Sequence, residues 1–169
     1  RVSTRLSDGL ATWVPRITHT GGVFKIQATA GSGKTQLALK LLRDAAQANQ
    51  RAMYVCYNRP LADHIAELSP TKVEVSTFHE LSVDHYRRKI GEPRFTESGF
   101  FDKAASQFIN DAGATQANLD LLIVDEYQDF DAGWIKALIA KLKDDSKLYV
   151  MGDAEQDLYA RDDFDLPDA

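Results

Sequence analysis

Cysteine is almost missing. Cys56 is the only one in 169 residues, which excludes an internal disulfide and a cysteine-based zinc cluster and fits a reducing, cytoplasmic setting. His19, His64 and His85 share no metal-ligand spacing, so no zinc site is expected. No apolar run approaches the roughly 18 residues that cross a bilayer, and the first residues carry no secretory pattern of basic flank, apolar stretch and small-residue cleavage site. No excess of basic residues is present either: 20 Lys+Arg stand against 25 Asp+Glu, a formal charge of −5. A chain-wide basic footprint for duplex DNA is thereby excluded. What remains is globular composition, 44% hydrophobic and 27% charged, and a length suited to one domain.

The charge is unevenly spread. Residues 1–90 carry 13 Lys+Arg against 7 Asp+Glu, and residues 91–169 carry 7 against 18. A basic face on the N-terminal half is therefore possible. The acidic end, with Asp162, Asp163, Asp165 and Asp168, reads as solvated surface. The sequence opens at Arg1 rather than Met and stops after a turn-like stretch, and the expectation is a piece of a longer protein.

Along the chain, strand and helix patterns alternate. Val23–Ala28, residues 51–57, 73–77, 119–125 and 147–151 read as strands. Between them, residues 34–48, 60–68, 78–90, 99–112 and 131–143 read as helices, the last with Trp134, Ile135, Leu138, Ile139 and Leu142 facing inward. Near-continuous apolar strands alternating with helices predict an α/β domain, with a parallel sheet of about five strands covered on both faces.

The informative segment is Ala28-Thr29-Ala30-Gly31-Ser32-Gly33-Lys34-Thr35, the P-loop pattern with Ala in place of the first Gly. A predicted strand precedes it and a predicted helix follows. Small residues let successive backbone N–H groups wrap a phosphate chain, and the helix adds the positive end of its dipole. Lys34 is expected on the β- and γ-phosphates and Thr35 on Mg²⁺. The most apolar strand ends in Asp125-Glu126. Ligands bind beyond the carboxyl ends of parallel strands, so Asp125 is expected at the P-loop edge, holding Mg²⁺ through its water shell. Glu126 is expected to orient and deprotonate the attacking water.

The order ATAGSGKT, YNRPLA, TFHEL, LLIVDEYQD, MGDAEQDLY resembles the first, RecA-like motor domain of the superfamily 1A helicases, the UvrD/Rep/PcrA group. The resemblance covers roughly residues 23–160. It implies ATP and Mg²⁺ as ligands, Lys34, Glu126 and Gln156 as catalytic groups, and Asp125 and Thr35 at the metal. It also implies that Gln156 senses the γ-phosphate. Tyr57, Asn58, Arg59, Thr77, Phe78, His79 and Tyr159 would line a single-stranded DNA track, with RNA left open. From the residues alone these offer donors and rings of the kind that single-strand binders use. Phe78 fits a core position at a helix start equally well, and His79 and Arg59 fit ordinary surface roles.

Three departures accompany the resemblance. No adenine-contacting glutamine stands clearly before the P-loop. Only 46 residues separate Phe78 from Asp125, so the family's large inserted subdomain is reduced to a helical patch around 91–118. The second motor domain, which supplies arginines to the transition state, is absent from these residues. The expected activity is ATP-driven translocation and unwinding by a parent protein, weak or silent in this portion alone. A stand-alone P-loop ATPase switch is the alternative, and a small-substrate kinase is disfavoured by the DExQD and GDxxQ pair.

Overall fold

The two central strands, residues 52–56 and 119–124, form where apolar, β-rich runs lie between turn signals. The structure, a computed structural model, describes residues 23–28 and 33–153. The strands are β1 (Val23–Ala28), β2 (Ala52–Cys56), β3 (Glu74–Thr77), β4 (Leu119–Val124) and β5 (Leu142–Asp153). The helices are α1 (Lys34–Gln47), α2 (Arg59–Leu68), α3 (Phe78–Lys89), α4 (Phe100–Asp111) and α5 (Ala132–Ile139). All strand pairs are parallel, in the order β1-β5-β4-β2-β3.

The path explains the layering. The chain runs from β1 across to β2 and β3 through α1 and α2, then returns to β4 and β5 through α3, α4 and α5. Right-handed crossovers travelling in opposite directions must use opposite faces. Accordingly, α1 and α2 pack on one face against Tyr54, Cys56, Leu121, Ile123, Tyr149 and Met151. On the other face, Phe78, α4 and α5 pack against Met53, Val55, Leu122, Val124, Leu148 and Val150. Alternate residues of β2 and β4 thus serve different cores, and both strands read as apolar throughout because both faces are covered.

Outside the sheet, α3 and α4 lie together over a small cluster of Val83, Tyr86, Phe100 and Ala104. They are also tied by His85 Nε2 and Asp111 Oδ2 at 2.6 Å, with Gln107 donating to the same oxygen at 2.9 Å. No helix among the described residues is long and apolar enough to cross a membrane.

One expected boundary is corrected. The helix anticipated over residues 131–143 stops at Ile139, and β5 begins at Leu142 rather than Lys147. The backbone N–H groups of Asn118 and Leu119 both reach Lys141 O at 2.9 Å, and the Lys143 ammonium reaches Asp120 at 2.8 Å. Pairing with the start of β4 satisfies backbone groups that another helical turn would have satisfied differently. Ile135 and Leu138 are buried as expected, while Trp134, Ile139 and Leu142 are partly buried at the margin of that core.

Gly152, near the end of β5, is enclosed. A Cβ there would fall on the Tyr127 ring and within 2.6 Å of Gln128 Oε1, and Tyr127 is itself buried. Gly152→Ala is expected to cost about 1–3 kcal/mol through overpacking, measured as a lower denaturant midpoint. The Gln107 amide, then His85, hold the Asp111 carboxyl below its ordinary value. A depressed carboxyl contributes stability above its unfolded pKa and loses it as pH falls through the folded one. Asp111→Asn is therefore expected to flatten the acid limb of the stability curve below about pH 4, followed by thermal melting against pH.

Candidate functional site

All five parallel strands end on one edge of the sheet, and their order sets the neighbours there. Ala28 of β1 is in register with Asp153 of β5. β5 in turn borders β4, which borders β2, which borders β3. Asp125, Glu126, Tyr57, Asn58 and Thr77 therefore gather along the edge at which β1 delivers the P-loop.

The P-loop returns to described structure at Gly33, the N-cap of α1, with φ 94°. This left-handed turn favours glycine, and glycine offers no side chain to cap the helix. The first-turn N–H groups are thus left to another acceptor. Lys34 opens α1, and its ammonium reaches Asp125 Oδ1 at 2.6 Å. Thr35 follows, partly buried.

Asp125 is 1% exposed. Its Oδ1 also accepts the backbone N–H of Glu126 at 2.8 Å, and its Oδ2 accepts the Tyr54 hydroxyl at 2.5 Å. Tyr54 is fully buried. Burial, reinforced by the Asp125 charge, drives its phenol far above the ordinary value, so the hydroxyl keeps its proton and donates. A buried carboxylate is costly unless its oxygens are satisfied, and here each oxygen meets a donor.

Glu126 adopts a left-handed backbone, φ 57°, which turns its side chain toward the end of β2. Its Oε1 accepts from Tyr57 N at 3.0 Å and Asn58 N at 3.1 Å, and its Oε2 accepts from Asn58 Nδ2 at 2.5 Å. The Asn58 amide oxygen meanwhile caps α2 through Leu61 N at 2.8 Å. One asparagine thus fixes a helix start and holds the second acid.

The expected strand-track residues divide. Tyr57 is 41% exposed. The Arg59 side chain is exposed and bridges Asp63 at 3.2 Å and Glu80 at 3.0 Å. Thr77 is buried and forms a reciprocal capping box with Glu80 at the start of α3. Phe78 corrects the expectation: it is 0% exposed. Trp134 is stacked on it at 4.4 Å, and Phe108 and Phe130 meet it edge-on. The residue after a strand end points into the core here because α3 starts at once, so its ring has no free face.

His79 is partly buried between Tyr57, Trp134 and Phe101, with ring separations of 5.8, 5.5 and 5.5 Å. Burial lowers its pKa below the usual histidine value, so it is a neutral ring at pH 7. Thr29, Ala30, Gly31, Ser32, Gln156 and Tyr159 lie outside the described residues.

Two groups of residues were not anticipated. Tyr54 stands in the middle of an aliphatic strand, and the available signal was its phenol, which needs a partner when buried. Phe95 and Phe101 are exposed. With Tyr57, His79, Arg59 and Arg87 they line a cleft of about 630 Å³ beside the Glu126 edge. The Phe100-Phe101 pair held that signal, since adjacent helical residues point about 100° apart and a helix buried on one narrow face leaves one of the two rings at its margin.

The donor set fits a phosphate tail with a divalent cation. An ammonium, a hydroxyl and a glycine-capped helix start stand together, with a buried carboxylate 2.6 Å from that ammonium. Cys56, at the neighbouring strand end, is inert by comparison. Burial, then the Glu126 and Asp125 charges, push its thiol up to about 12. A thiol reagent at pH 8 is expected to label Cys56 only upon unfolding, with mass-spectrometric counting in and out of urea as the check.

A family model described as an AAA domain matches residues 15–162, most of the chain. The glycine-capped helix bearing Lys34, the acid at the end of a neighbouring strand and the parallel α/β sheet agree with that match. The chain belongs to this AAA-domain family, as a P-loop nucleoside triphosphatase domain.

Proposed function

We propose that the chain is the first motor domain of a UvrD-like ATPase that moves along single-stranded DNA. The observation that carries this reading is the placement of Glu126. Its carboxylate rests on the backbone and side chain of Tyr57 and Asn58, residues that in this reading touch the strand. The acid that activates water and the turn that meets nucleic acid are therefore in direct contact.

Magnesium, when bound, would draw charge away from the phosphate oxygens, with Thr35 and Asp125 as its protein side. Lys34 would turn from Asp125 to the phosphate tail and neutralise it. Gln156, three residues beyond the end of β5, is the proposed γ-phosphate sensor. Glu126 is the proposed base that takes the proton of the attacking water. As it stands, three hydrogen bonds from Tyr57 N, Asn58 N and Asn58 Nδ2 occupy both of its oxygens and hold them on the end of β2. A strand pressing on the Tyr57–Asn58 turn would loosen that hold, and hydrolysis would then follow strand binding.

Tyr57 supplies an exposed ring, and stacking one base is worth about 1–3 kcal/mol. Arg59 and Tyr159 complete the proposed track. The second motor domain of a parent chain is the proposed partner that supplies arginines, worth about 10³–10⁵ in rate in related phosphoryl transfer.

A stand-alone ATPase switch is the second reading. Two observations favour it: the short stretch between α3 and β4, and the acids Glu80 and Asp84 that offset Arg59 and Arg87 around the cleft. Oligonucleotide that leaves turnover by the full-length parent unchanged would decide for the switch.

In that parent, Lys34→Ala is expected to abolish binding of a fluorescent ATP analogue. Glu126→Gln is expected to keep binding and slow turnover about 10²–10⁴-fold, the usual contribution of a general base. Asn58→Ala is expected to raise turnover without DNA and shrink its stimulation by DNA, measured as phosphate release with and without an oligonucleotide. Equal stimulation in Asn58→Ala and wild type would remove the coupling argument.

A further inference from the structure

We propose that Tyr54 is a positioning residue for the divalent cation of the nucleotide site, acting through Asp125. The inference rests on the nucleotide-site reading above and extends it to a residue outside the P-loop and the acidic pair.

The geometry assigns the two oxygens of Asp125 different tasks. Oδ1 faces the Lys34 ammonium at 2.6 Å and also accepts Glu126 N at 2.8 Å. That oxygen already has a cation beside it. Oδ2 faces inward and accepts the Tyr54 hydroxyl at 2.5 Å. The interior donor on Oδ2 resists rotation of the carboxylate plane and favours keeping Oδ1 on the Lys34 side.

The strand register makes the contact rigid. Tyr54 is paired with Ile123 across β2 and β4, and Asp125 lies two residues beyond Ile123, so strand alternation keeps it on the same face. Tyr54, Ile123, Leu37 and Leu42 belong to one core, and each is fully buried. The ring is held by the packed face that holds α1 and Lys34. An aliphatic side chain would fill that core equally well, but it would leave Oδ2 without a donor. The hydroxyl is the only part of Tyr54 that packing does not explain, and its single partner among the described contacts is Asp125. Outer partners of metal-binding groups typically alter metal affinity 10–100-fold when removed.

The test is Tyr54→Phe, which keeps the ring and removes one oxygen. Mn²⁺ binding in the presence of ADP is read by electron paramagnetic resonance on the full chain, and ADP binding with EDTA is measured separately. The expected result is a several-fold weaker Mn²⁺ affinity with metal-free ADP affinity unchanged. A circular-dichroism melt in EDTA reports the fold. A structural role alone would weaken both affinities together or neither, and either result overturns the proposal. Wild-type chain that shows no ADP-dependent Mn²⁺ binding removes the nucleotide-site reading and the proposal with it. Wild-type binding matched by Tyr54→Phe removes the proposal alone.

Discussion

The Lys34–Asp125 ion pair is the constraint around which the rest of the molecule is arranged. A carboxylate that is 1% exposed is tolerable only with its oxygens satisfied. Three separate elements supply the donors: Lys34 at the start of α1, Tyr54 in β2, and the Glu126 backbone after β4. Those elements lie far apart in sequence, Lys34 and Asp125 being 91 positions apart. They meet because parallel pairing brings every strand's carboxyl end to one edge. In the function proposed above, the pair marks the place of phosphate and cation chemistry. It joins the two charges that a nucleotide with its metal would separate and use.

Beside this pair the second acid is held differently. Glu126 takes a left-handed backbone and lays its carboxylate on the end of β2. The cost of that conformation is offset by three hydrogen bonds to an anion. The result is a physical link between the nucleotide edge and the surface formed by Tyr57 and Asn58. That surface continues through His79 into the cleft lined by Phe95 and Phe101. Arg59 belongs to it too, though its guanidinium is shared between Asp63 and Glu80.

Much of this was legible in the chain of letters. The runs of β2 and β4 are nearly all apolar because helices cover both faces, so these two strands were readable from the sequence pattern alone. The P-loop announced itself by small residues followed by Lys34-Thr35. The misreadings have local causes. The helix at 131–143 gave way at Ile139 because residues 141–143 pair with the start of β4. Phe78 was placed with the strand-track rings while a core position at a helix start stood open beside it, and α3 begins there and turns the ring under Trp134. Tyr54 passed as one more apolar strand residue, since no sequence pattern reports which atom a phenol will meet.

Local chemistry and periodicity therefore determined, from the sequence by itself, the element order, the parallel α/β class and the identity of the phosphate-binding loop. Those properties depend on neighbours along the chain. Tertiary structure alone decided that Tyr54 donates to Asp125, that Asn58 holds Glu126, that Phe78 is sealed away and that Phe101 is open to solvent. Each of these depends on strand order and register, which bring together residues from separate parts of the chain. A side chain's partner across a sheet is set by that assembly, not by its own neighbours.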